Sequence, residues 1–179
     1  AMFIFGFVFL QYFSTMPLYY KDTHHLTELE IGLLMGMNGF LIFLLEMPLI
    51  KWLEDSKYSK EFLMFIGLFL TGISFLVLNL TGWTGILIIG MLFMTIGEMI
   101  AFPFSNAFVM ERAKRGNQGE YMAYYSIAFS ISHIFGHNSG MQMVDAFGFD
   151  KTWTIITIMS VVGLAFLGLL MRIVKKESI

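Results

Sequence analysis

Apolar residues in this chain come in long, nearly unbroken blocks separated by short polar stretches. Six blocks stand out, at about 2–20, 29–50, 61–79, 84–110, 120–143 and 152–174. Each matches the roughly 20 helical residues that cross a hydrocarbon core of about 30 Å. Backbone groups inside a bilayer must bond within their own segment or within a closed barrel. The blocks are too long and too continuous for the ten-residue alternation of barrel strands. They predict six transmembrane helices and an all-α membrane protein.

Composition supports the same class: 57% of residues are hydrophobic, 13% are charged, and mean hydropathy is +0.73. Soluble domains carry about 25% charged residues, so this chain lacks the polar residues to coat a soluble core. A net charge of −2 gives no nucleic-acid surface, and the absence of cysteine excludes disulfides and thiolate metal sites. The chain opens inside an apolar block with no basic leader and no cleavage pattern. The first block is therefore expected to be a span rather than a signal peptide, and the chain a fragment of a longer one.

Charge orients the spans. Lys51, Lys57 and Lys60 follow the second block, Arg112, Lys114 and Arg115 the fourth, and Arg172, Lys175 and Lys176 the sixth; only Lys21 and Lys151 fall in the opposite loops. Basic residues are retained on the cytoplasmic side. The expectation is a multi-pass protein of the plasma (inner) membrane with a cytoplasmic C-terminus.

Polar residues inside the blocks mark the helices expected to face an aqueous path. Gln11 lies in the first, Asn38 and Glu46 in the second, Thr95, Glu98 and Ser105 in the fourth, and Ser126, Ser130, His133 and His137 in the fifth. The third and sixth hold only scattered Ser and Thr, which can bond back to their own helix. Blocks one, two, four and five are thus expected inside, with three and six facing lipid. At 1.5 Å per residue, Glu98, His133, Gln11 and Asn38 fall at comparable mid-depth, and all four are expected to converge there. A carboxylate at mid-helix costs about 2.5–3.5 kcal/mol on insertion scales. Glu98 is accordingly the first candidate for proton coupling or for countering a cationic solute. His133 is a candidate proton partner, Gln11 and Asn38 candidate cavity contacts, and His137 a structural residue. Two histidines four residues apart, with no carboxylate on their helix, do not complete a metal site. Gly32, Gly36 and Gly39 have the spacing of a close-packed helix face.

The stretch GEMIAFP (97–103), with RAKRG (112–116) and GEYM (119–122) after it, resembles the tenth span, inner loop and eleventh-span start of the major facilitator superfamily. PLIKWLEDSKYSK (48–60) is similar to that family's basic inner loop, but has Lys51 in place of a glycine and Ser56 in place of an arginine. GHNSG (136–140) stands where many members have Gly-Pro-x-x-Gly. The resemblance implies a C-terminal six-helix half built from two inverted three-helix repeats, with an N-terminal half of the same chain as partner. It further implies secondary transport of a small solute by alternating access, with protons as coupling ion and no cofactor. Glu46, Asp55 and Arg112 become candidates for a cytoplasmic gate. Met91, Met94 and Phe102, on the face of Glu98, fit export of amphipathic or drug-like compounds. Ser139-Gly140 lacks the Gly-x-Ser-Gly order of an intramembrane serine protease, so no catalytic residue is expected. The alternative is a six-span cation or metal transporter acting as a dimer.

Overall fold

The computed structural model describes residues 2–113 and 116–177. Lys114 and Arg115, two of the basic residues used to orient the spans, lie outside the described residues. Seven helices follow in order: α1 (Met2–Ser14), α2 (Met16–Asp22), α3 (Glu28–Glu54), α4 (Lys60–Leu78), α5 (Ile86–Arg112), α6 (Gln118–Phe147) and α7 (Phe149–Glu177). Helices α1 and α2 are one membrane-length run interrupted at Thr15, where Pro17 enters the first turn of α2. Proline has no N–H to return to the preceding turn. Pro48 and Pro103, by contrast, lie inside α3 and α5 without ending them.

The helix ends have local causes. Thr27 and Glu30 form a reciprocal capping box at the start of α3, Glu30 Oε2 accepting from the Thr27 N–H at 2.8 Å. Ser59 caps α4 by accepting from the Phe62 N–H at 3.3 Å. Gly148, at φ +79°, makes the tight joint between α6 and α7, a conformation that glycine adopts without strain.

Five helical runs among the described residues are long and apolar enough to cross a membrane: α1–α2, α3, α4, α5 and α7. The fifth predicted span, α6, is 30 residues long but is not among them. Its Ser, His, Asn and Gln residues dilute the apolar ones.

Within the chain, the α1–α2 run, α4 and α5 bury more than half of their apolar windows, whereas α3 and α7 bury little. The predicted lipid-facing α4 sits at the centre, against α5 on one side and α7 on another. Gly67 and Gly97 bring the α4 and α5 backbones together: a Cβ on Gly97 would lie 2.8 Å from the Gly67 carbonyl and 2.6 Å from Thr71 Oγ1. A side chain at either position would separate the helices and forfeit the dispersion contacts that hold membrane helices together. Above this seam, Tyr12, Tyr20, Phe75, Met91, Met94 and Trp153 fill a buried cluster shared by α1, α2, α4, α5 and α7. The polar-bearing α3 and α6 lie outermost in this chain, and α3 buries only Asn38 and Leu53. Gly32, Gly36 and Gly39 have nothing within reach of an added Cβ, so they make no close-packed face here.

Candidate functional site

Glu98 stands 12 residues from the start of α5 and 14 from its end, about 18 and 21 Å along the axis. It is 5% exposed. Thr95, one turn earlier on the same face, is also buried, and its hydroxyl donates to the Met91 carbonyl at 2.8 Å. That bond turns the Thr95 oxygen lone pairs outward as an acceptor. Asn38, 3% exposed on the otherwise exposed α3, reaches both residues. Its Nδ2 donates to Thr95 Oγ1 and to Glu98 Oε1, each at 2.9 Å. The two amide hydrogens account for both bonds. Asn38 is thus the one polar residue of α3 buried against α5, and its partner is the mid-helix carboxylate.

Beside this pair lies a cavity of about 260 Å³, lined by Phe9 and Phe13 of α1, Asn38, Ile42 and Glu46 of α3, and Glu98, Met99 and Phe102 of α5. Asn38, Ile42 and Glu46 are spaced i, i+4, i+8, which stacks them on one helix face. Two carboxylates therefore share one cavity with no Lys, Arg or His in its lining. The aromatic residues form a continuous wall. Phe102 meets Phe9 edge-on at 4.9 Å and Phe5 at 5.0 Å, and Phe9 meets Phe13 at 5.2 Å. Polar groups of this kind in a low-dielectric setting interact strongly with any cation that reaches them.

The four mid-depth candidates do not form one cluster. Asn38 joins Glu98, as described. Gln11 instead spans the α1–α6 seam: its Nε2 donates to the Gly136 carbonyl at 2.9 Å and to the Phe7 carbonyl at 3.1 Å. Gly140 closes on the Gln11 side chain, leaving no room for a Cβ. This is a helix-joining role. His133 and His137 are exposed on α6 and do not line the cavity. Their helix is held to α1 through its other face, where Ser132 Oγ donates to the Phe3 carbonyl at 2.8 Å.

The gate candidates separate too. Glu46, expected near the inner surface, lines the Glu98 cavity. Asp55 is exposed at the end of α3. Arg112 pairs with Glu177 at 2.6 Å, joining the ends of α5 and α7, and stands over the Phe108 ring at 5.8 Å. Lys60 of α4 pairs with Glu111 of α5 at the same end. Of the aromatic wall only Phe102 was read from the sequence; Phe5, Phe9 and Phe13 of α1 were not, and their i, i+4 repeat is the signal that could have found them.

The sequence profile described as the Major Facilitator Superfamily matches residues 1–137. The chain is 26% identical over 129 residues to a "Na(+), Li(+), K(+)/H(+) antiporter" of Planococcus maritimus, an alignment covering 72% of this chain and 30% of that protein. It is 25% identical over 179 residues to the "Uncharacterized MFS-type transporter YqjV" of Bacillus subtilis (strain 168), covering 96% of this chain and 42% of the relative. A third relative, "Uncharacterized MFS-type transporter YttB" of the same organism, is 24% identical over 168 residues, 91% of this chain and 41% of the relative. The chain spans less than half the length of these curated relatives. No solved structure matches it.

Proposed function

The chain belongs to the Major Facilitator Superfamily and is a multi-pass membrane protein; on that premise we propose that it forms the C-terminal six-helix half of a proton-coupled secondary transporter. In this reading the two repeats are α1–α4 and α5–α7, inverted relative to each other. The exposed face of α3, largely apolar, and that of α6, which carries His133 and His137, meet an N-terminal half. The halves then rock about a midplane site to give alternating access. The inner membrane, with the C-terminus in the cytoplasm, is the setting, and export of amphipathic solutes the direction.

The observation that carries the proposal is the Asn38–Glu98 pair. A carboxylate at mid-depth, held by a neutral amide donor and facing a cavity without basic groups, needs a proton or a cation whenever water is excluded. If proton and solute occupy it in turn, release of one requires arrival of the other. That alternation is antiport. The printed name of the Planococcus relative, a cation/proton antiporter, supports this chemistry. It also favours a second reading, in which the exchanged solute is an inorganic monovalent cation held by the oxygens of Glu98, Glu46, Asn38 and Thr95. Family membership supports the facilitator reading over a separate six-span metal-transporter fold.

The test is transport driven by a pH gradient in everted vesicles carrying the full-length protein. Glu98→Gln keeps the side-chain shape and removes the charge, and should lower the driven flux by more than tenfold. Unchanged flux with unchanged pH dependence would sink the proposal.

A further inference from the structure

Two tyrosines of the α1–α2 run are packed deep in the protein with hydroxyls that make no ordinary bond. Tyr12 and Tyr20 are each 0% exposed, and neither hydroxyl has a hydrogen bond of good geometry among the described residues. Buried polar groups ordinarily carry a partner. Packing alone would be served as well by phenylalanine, a residue this chain uses 20 times. Two hydroxyls in this position have a role that a ring does not supply.

Their surroundings form a series. Tyr12 belongs to the buried cluster that Met91 and Met94 of α5 share, and Glu98 follows Met94 by four residues on the same helix face. The Glu98 charge acts on the Tyr12 hydroxyl. The Tyr12 and Tyr20 hydroxyls are near enough to act on each other, though too loosely set for a direct bond of good geometry. Tyr20 is acted on in turn by Tyr19, whose ring lies 6.5 Å away. Tyr19 lines a polar crevice of about 530 Å³ together with His24, Asn79 and Asp150. In the orientation proposed above, that crevice faces outward. Neither Tyr12 nor Tyr20 lines the cavity of Phe9, Asn38 and Glu46. Glu98 thus has two approaches, one through its cavity and one through the tyrosines.

We propose that Tyr12 and Tyr20 relay protons between the polar crevice and Glu98, so that the proton does not share the solute's way in. The inference rests on the reading of Glu98 as the coupling carboxylate and adds the path by which that carboxylate is loaded. A phenol hydroxyl both donates and accepts. A proton arriving on the Tyr20 oxygen from the crevice releases the Tyr20 hydroxyl proton towards Tyr12. The Tyr12 oxygen takes it and passes its own hydroxyl proton to the Glu98 carboxylate. One proton enters, one is delivered, and both tyrosines end neutral; rotation about each C–O bond resets the pair. A buried water bridging the two hydroxyls fits the loose spacing, because such a water takes two to four polar partners. The Trp153 Nε1–H, in the same cluster and also unpaired, is a further donor there. The separate route removes a conflict: where proton and solute alternate on one carboxylate, a proton arriving through the tyrosines does not have to pass the solute.

The test follows proton uptake itself and needs no solute. Purified full-length protein in liposomes is given a sudden drop in pH, and the infrared band of the protonated carboxyl is recorded with time. Glu98→Gln identifies the band by removing it. Tyr12→Phe and Tyr20→Phe keep both rings and delete only hydroxyls without an ordinary bond, and an unchanged Tm verifies the fold. Each should slow the rise of the band by about tenfold or more, the scale of a lost proton-transfer group, and leave its final height unchanged. Equal rates in the wild type and both variants would overturn the relay while the band still assigned the proton to Glu98; the proton would then arrive through the cavity. A lower final height at an unchanged rate would show a structural role for the hydroxyls and would also overturn it. If no band depends on Glu98, the proposed function fails together with this inference.

Discussion

Asn38 on α3 donates to Glu98 on α5 at 2.9 Å, joining the one deeply buried polar side chain of an exposed helix to the carboxylate at the middle of a buried one. The bond crosses between helices 60 positions apart in sequence and also fixes the cavity wall. A hydrogen bond to a charged group contributes about 1.5–3 kcal/mol. Asn38→Leu keeps the volume and removes the donor. It should lower transport at least tenfold in vesicles, with normal membrane insertion, whereas Asn38→Gln, which retains an amide, should recover part of the rate. Equal activity in Asn38→Leu and wild type would show that the donor is dispensable.

Close packing of α4 on α5 yields a second expectation. Gly97→Ala places a methyl 2.6 Å from Thr71 Oγ1 and 2.8 Å from the Gly67 carbonyl, and backbone cannot give way cheaply. Overpacking of this kind costs about 1–3 kcal/mol. Gly168→Ala on α7 meets nothing within 4 Å and exchanges a poor helix former for the best one. Thermal unfolding in detergent should show a clear drop for the first and no loss for the second.

Much of this architecture was legible in the sequence. Apolar blocks of about 20 residues have few ways to satisfy their backbone in lipid, so the helices followed from length alone. Glu98 and Asn38 stood out because a polar side chain in an apolar run requires a partner, and each proved to be the other's. The rest was not legible, for identifiable reasons. Glycine spacing describes one helix and not what stands opposite: Gly36 meets open space while Gly97 meets a backbone. Gln11 and His133 lie at similar depth to Glu98, but depth does not fix azimuth. A rotation about the helix axis puts Gln11 into the α1–α6 seam and leaves His133 exposed. The placing of α4 at the centre depended on small residues, Gly67, Thr71, Gly72 and Ser74, whose packing value a hydrophobicity count does not register.

At the end of α2, His24 packs edge-on against Tyr19 at 5.0 Å beside a polar crevice that also holds Asp150 and Lys151. Partial burial, with the neighbouring His25 charge second, holds its imidazole below the usual histidine range. The unfolded chain therefore takes up the proton first as pH falls. His24 then favours the folded state above the ordinary histidine pKa, and this advantage declines as pH drops from there to the lowered folded-state value. Below both values the loss is complete and constant. The effect is small, because the residue is largely solvated. The Tm difference between wild type and His24→Asn should change as pH falls through and below the ordinary histidine pKa and stay level above it; a flat difference throughout would refute it.

Orientation offers the last prediction. Lys57 and Thr81 are exposed in successive loops, one after α3 and one after α4. A single helix, α4, separates them, so they must lie on opposite faces of the membrane if α4 crosses it. The basic bias predicts Lys57 inside, since Lys51, Lys57 and Lys60 crowd its loop and none of the residues 79–85 is basic. With no native cysteine in this chain, Lys57→Cys and Thr81→Cys can each be labelled in a background free of others. A membrane-impermeant maleimide added to intact cells should modify Thr81→Cys and spare Lys57→Cys until the membrane is opened. The reverse pattern would invert the topology and, with it, the cytoplasmic C-terminus proposed above. Labelling of both from one side would mean that α4 does not cross.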